Sequence, residues 1–174
     1  MTQFEFLSIA ASIILALGLG KLVSAFSHVL DATRRDWLHV TFVFFLSIVF
    51  LQNWWSIWEL NAVGEWTQIK FFLLVGGPLA YYLASYSLVS DSPSEVASWS
   101  QHFEAKHRWF FTAIFLGLVF AALRRIILLD DDIAWYSALL WAVPIVGIIT
   151  PRREAHIAVA AIMVLAVLAT IFLN

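Results

Sequence analysis

Cysteine is absent from this 174-residue chain. That excludes disulfides, thiol redox chemistry and cysteine-ligated metal centres. Charge is scarce: 13% of residues are Asp, Glu, Lys or Arg, against about 25% in a soluble domain. The motifs of membrane enzymes are missing too. There is no GxSG, no HExxH, no paired histidine box and no Walker loop. The last apolar run has no lysine to form a retinal Schiff base. These gaps weigh against an enzyme, and no nucleic-acid partner or metal is expected. Strict alternation of apolar and polar residues is also lacking in stretches such as IAASIILALGLG, so membrane β-strands are excluded. The first apolar run is too long and lacks the basic start of a cleavable signal peptide.

What the chain has is long apolar runs. Apolar residues make up 62% of it and the mean hydropathy is +0.87. Six runs stand out, at about 4–29, 38–60, 69–89, 109–129, 133–150 and 155–173. Each is near the roughly 20 residues a helix needs to cross the hydrocarbon core. Lipid offers no partners to free backbone groups, so helices are the default. The expected fold is all-α: one polytopic transmembrane bundle of six spans over 1–174, in contact with a lipid bilayer. The one long linker, 90–108, reads as a polar cytoplasmic loop. Within it Pro93 and Ser94 suit a helix start, and Trp99 and Phe103 fall four apart. A short helix lying on the membrane and a solvated loop both fit that segment.

Basic residues set the orientation. Lys21, Arg34, Arg35, Lys106, Arg108, Arg152 and Arg153 fall at one end of the spans, and Lys70, Arg124 and Arg125 at the other. The positive-inside rule places the first group in the cytoplasm and both termini outside.

Residues 51–66, LQNWWSIWELNAVGEW, lie at the outer boundary in this orientation. Trp54, Trp55, Trp58 and Trp66, joined by Trp135, read as an outer interfacial belt. Trp37, Trp99 and Trp109 form an inner one. Gln52, Ser56 and Glu59 fall at i, i+4 and i+7 and share a helical face, with Asn53 and Trp55 beside them. A polar group at the depth of Gln52 faces the bundle interior or a cavity. Arg124 and Arg125 lie just inside the outer end of span four. Either both snorkel or pair with Asp130–Asp132, or one turns inward to meet Glu59 or Glu5. The second arrangement predicts an outward pocket of Gln52, Asn53, Trp55, Trp58, Glu59, Arg124 and Arg125, with the Glu59 pair roofed by Trp55 or Trp58.

Three further features bear on the interior. Gly76, Gly77 and Pro78 predict a break or kink in the middle of span three, and Pro144 with Gly147 gives a weaker sign in span five. Ser8, Ser12, Ala16, Gly20 and Ser24 recur every four residues in span one. Small residues at that spacing permit close helix approach, and predict a homo-oligomer through span one. All five histidines fall at the cytoplasmic end. His28, His39 and His156, with Arg34, Arg35, Arg152 and Arg153, form the alternative site, for a phosphate headgroup or a haem. Their spacing fits no metal motif, and no cofactor is expected.

The stretch FEFLSIAASIILALGLGKLVSAFSHVL, followed by NWWSIWEL, resembles small bacterial multi-pass inner-membrane proteins. The resemblance covers the first two spans. It implies a bacterial cytoplasmic membrane and brings no activity with it. The leading functional expectation is non-enzymatic binding, permeation or sensing of a small solute or ion through the outer pocket. The rivals are a membrane enzyme or haem protein at the histidine-arginine face, and a structural subunit of a larger membrane complex.

Overall fold

A capping box starts the first helix. The Thr2 hydroxyl accepts from the Glu5 N–H at 3.1 Å, and the Glu5 carboxylate accepts from the Thr2 N–H at 2.8 Å. Two of the donors that a helix start leaves unpaired are thereby satisfied. α1 then runs Gln3–Val29. The computed structural model describes residues 2–132 and 137–173, without the side chains of 137–139 and 173. Five more helices follow: α2 (Trp37–Ile57), α3 (Gln68–Leu88), α4 (Trp99–Leu129), α5 (Ser137–Ile149) and α6 (Arg153–Leu173), with 3-10 turns at Trp58–Ala62 and Pro93–Glu95. No strand occurs among the described residues. Side-chain oxygens of Asp36, Thr67 and Ser98 cap α2, α3 and α4 by accepting N–H groups of the first turn. Asp130 ends α4 in the left-handed region at φ 50°, a conformation Asp tolerates better than most residues.

Five of the six helices are long and apolar enough to cross a membrane. The sixth, α5, has 13 described residues, Ser137–Ile149, inside the expected span 133–150, and residues 133–136 lie outside the described residues. The expected loop 90–108 is corrected. Helix α4 begins at Trp99, ten residues before the predicted span, and is 31 residues long.

Helix α3 packs along α4, with α1 on its other flank. Helix α5 joins α4 to α6, and α6 meets α2. α2 closes the ring against α1 and also reaches α3 and α4. Glycine makes the closest approaches possible. A Cβ at Gly76 would lie 2.3 Å from the Phe120 ring, and one at Gly117 would lie 2.3 Å from the Tyr81 ring. α3 and α4 thus exchange an aromatic ring for a glycine hole in both directions. The expected break at Gly76, Gly77 and Pro78 does not occur, and α3 is helical throughout. These residues are buried, and their small size serves close packing.

α1 buries Ala11, Leu15, Gly18, Leu22, Ala25 and Val29. The steps of 4, 3, 4, 3 and 4 are those of a heptad seam. The small-residue row lies elsewhere: Ala16, Gly20 and Ser24 are exposed, and nothing lies within 4 Å of a Cβ added at Gly20. Large apolar side chains are exposed around the whole bundle, from Ile9, Ile13 and Leu17 to Leu165 and Phe172. An apolar exterior of that extent is unsuited to water and suits lipid contact. These are the attributes of a helical membrane protein.

Candidate functional site

The bundle has two chemically distinct ends. The tryptophan end holds the starts of α1 and α3, the end of α2 and the end of α4. The histidine end holds the opposite termini.

At the tryptophan end, Arg124 turns inward. It is 8% exposed, and its Nη2 donates to the Ser56 hydroxyl at 2.8 Å. Its Nε has no partner. Arg125 stays outside and pairs with Asp131. The turn at Asp130 brings this about, since the Asp131 N–H returns to the Arg125 carbonyl at 3.2 Å. The expected pair of Glu59 with Arg124 or Arg125 is therefore corrected. Glu59 is exposed and near enough for its charge to act on Arg124, but no ion pair within 4.0 Å joins them. The cause is local. α2 ends at Ile57, and Glu59 lies in the tighter 3-10 turn. At three residues per turn instead of 3.6, Glu59 rotates off the face it would share with Gln52 and Ser56.

The other members of the predicted pocket separate into two groups. The Gln52 amide donates to the Val167 carbonyl at 3.1 Å and the Thr170 hydroxyl at 2.5 Å, tying α2 to α6. Asn53 is buried, and its Oδ1 has no partner. Its Nδ2 lies 3.8 Å from a Cβ placed on Gly77. Trp55 and Trp58 are 80% and 75% exposed. They point away from the bundle and roof nothing, so their placement is that of anchors. Trp66 stacks on Phe4 with centroids 6.2 Å apart, beside an open recess between the starts of α1 and α3. Trp135 lies outside the described residues.

At the histidine end the charges are engaged. Both Asp36 oxygens accept from Arg153, at 3.0 and 2.5 Å, and Arg153 also donates to Ser100. Burial alone would raise the Asp36 pKa. The hydrogen bonds from Arg153 and the Leu38 N–H outweigh it, and the pKa is lowered. Arg34 grips Asp31 and donates to the carbonyls of Ser94 and Val96 at 2.9 and 3.2 Å, holding the 90–98 linker. The Thr33 hydroxyl and N–H, with Arg34, hold the Asp31 carboxyl well below the usual carboxylate range. Lys21 reaches Asp91 at 2.5 Å and lies 3.8 Å from the Tyr86 ring centroid. Arg35 lies over Trp37 at 4.2 Å, and Arg152 is exposed.

The histidines do not form one ligand set. His39 is fully buried with both ring nitrogens unpartnered, and it stacks on Trp99 at 4.9 Å. His156 lies 4.9 Å from His107 and 5.5 Å from Phe103, centroid to centroid. His28 contributes its backbone carbonyl to the Trp99 indole N–H at 2.8 Å. Among the described residues no three His, Asp or Glu side chains converge as a metal site. Trp99 and Phe103, expected at a membrane surface or in a loop, are buried instead at the centre of this layer. Their four-residue spacing was the available sign, but it did not name the surface they would cover. Asp36 was missed altogether. Its sequence sign is a capping residue directly before an apolar run.

No known family, curated protein or solved structure matches the chain.

Proposed function

We propose that this is a multi-pass membrane protein of the bacterial cytoplasmic membrane that binds a small anion, or the anionic group of a larger solute, at Arg124. The observation that carries the reading is a buried guanidinium that, among the described residues, has no carboxylate within 4.0 Å and an unpartnered Nε. A buried cation is unfavourable unless paired, and intramembrane arginines mark ligand or ion pathways. The Ser56 hydroxyl accepts from one Arg124 nitrogen and donates to the Asn53 carbonyl, which holds the guanidinium in place and leaves its Nε for a ligand. The seven-to-three bias of basic residues puts this end outside the cytoplasm. Exposure of Ala16, Gly20 and Ser24 favours assembly into a homo-oligomer through α1.

The test is thermal unfolding in nanodiscs against acetate, phosphate and chloride, for the wild type and Arg124→Gln. An anion at 100 times its Kd stabilises by about 2.7 kcal/mol. The expected result is that one of these anions raises the wild-type Tm and leaves that of Arg124→Gln unchanged. Equal response of the two proteins to every anion overturns the reading. For assembly, Gly20→Leu should lower the mass of the nanodisc-embedded particle.

A further inference from the structure

One face of α2 carries Phe45, Val49, Gln52 and Ser56, at steps of 4, 3 and 4. The first three line a half-open crevice of about 190 Å³ between α2, α4, α5 and α6. The fourth is the residue that Arg124 grips. Ser56 stands four residues from Gln52, about 6 Å along the helix axis. Neither Ser56 nor Arg124 lines the crevice, and the buried guanidinium lies about one helical turn beyond its Gln52 side.

The lining is almost wholly apolar. Helix α4 adds Ile114 and Leu118, and α5 adds Pro144. Among the described residues Gln52, Tyr81 and Thr170 are its only polar ones, Gln52 donates to Thr170, and no charged side chain lines it. A hydrated solute would lose water there without replacement bonds, whereas an apolar chain or ring would not. Size narrows the choice. The volume exceeds the apolar cavity of about 150 Å³ that takes up benzene. It is below the roughly 300 Å³ at which drug-sized pockets begin. One chain or ring fits, and a two-tailed lipid does not.

We infer that the ligand of Arg124 is an amphipathic monoanion, with its head on Arg124 and its single apolar chain or ring in the crevice. The inference rests on the reading of Arg124 as an anion site. Charge complementarity selects this occupant. A neutral lipid tail would fill the crevice equally well but would leave the guanidinium unpaired, while a carboxylate accepts from it in charge-assisted bonds.

The test measures equilibrium binding of radiolabelled decanoate and acetate to the full chain in detergent, with unlabelled decanol as competitor. Arg124→Gln removes the charge, and Ala166→Phe fills the crevice, since Ala166 lines it. Circular dichroism and gel filtration establish that each variant is folded, and Ala166→Leu replaces Ala166→Phe where the larger ring is not tolerated. Decanoate is expected to bind at least 100-fold tighter than acetate. Ala166→Phe should reduce decanoate to the acetate level without changing acetate, and Arg124→Gln should weaken both at least ten-fold. Acetate that depends on Arg124 with decanoate no tighter overturns this inference and leaves the anion site standing. Binding of neither anion that depends on Arg124 overturns both. Decanol competing as well as unlabelled decanoate overturns the head-group assignment. Organic extracts of the washed protein separate the two sources of such a ligand. A stoichiometric long-chain fatty acid marks the membrane pool, and decanoate binding without one marks an external amphiphile.

Discussion

The two ends of the bundle handle charge differently. At the histidine end Arg153 meets Asp36, Arg34 meets Asp31 and Lys21 meets Asp91. Each pair also links segments or caps a turn, so charge there holds the fold together. At the tryptophan end the inward Arg124 has, among the described residues, only the Ser56 hydroxyl, while Asp131 pairs with Arg125 and Glu59 is exposed. Charge that ties helices is complete within the chain. Charge that stands without a carboxylate is available to something else. That contrast locates the candidate site more firmly than the tryptophans do.

The sharpest way to break the contrast is to delete one arginine at each end. Arg153→Gln leaves Asp36, which is 7% exposed, without its guanidinium. Losing hydrogen bonds to a charged group costs about 1.5–3 kcal/mol, and the expected loss of unfolding free energy lies in that range. Arg124→Gln leaves no carboxylate behind and is expected within about 1 kcal/mol of wild type. Reversible unfolding in mixed micelles measures both. An equal loss at Arg124 would mean that Glu59 is its partner after all.

Acidification sharpens the same difference. The folded pKa of Asp36 is lowered, so its contribution is fully present above the ordinary Asp value of about 3.9. It is lost as pH falls through the lowered folded value. The stability gap between wild type and Arg153→Gln should be constant from pH 7 to about 5, and should close below about pH 4. A gap that widens on acidification contradicts the clamp.

Smaller effects follow at the linker and the surface. Arg34→Ala frees the carbonyls of Ser94 and Val96 in a partly exposed place. It should cost about 0.5–1 kcal/mol and speed amide exchange at Trp99, whose N–H donates to the Arg34 carbonyl. The smallest change is expected for Trp55→Leu and Trp58→Leu, within about 0.5 kcal/mol. Trp55 and Trp58, with the similarly exposed Trp37 and Trp109, should be the tryptophans most quenched by lipids brominated near the headgroup, and buried Trp99 the least.

The helical, membrane-adapted character of the chain was legible in its runs of apolar residues, because lipid leaves the backbone few choices. The caps at Thr2, Asp36 and Ser98 were not read from the sequence, although each is a capping residue type placed directly before its helix. The inward turn of one arginine was among the readings open to the sequence, and so was the pairing of Arg125 with the acidic run. The identity of Arg124's partner was not, because it depends on α2 tightening after Ile57, a change of winding that no residue type announces.

The sequence by itself determined that the chain is helical and apolar enough for a membrane, which ends carry tryptophan and which carry histidine, and that polar groups must be accommodated inside. Tertiary structure alone decided what each of those groups meets. Gly76 is a packing position because the Phe120 ring on another helix fills the space above it. Ala11 to Val29, and not the small-residue row, form the seam of α1. Trp99 is core because His39 and the His28 carbonyl receive it. Periodicity fixes which residues share a face, since it follows from the helix's own geometry. The partner of a face is a matter of register and rotation between helices, set by the fit of side chains far apart in the chain.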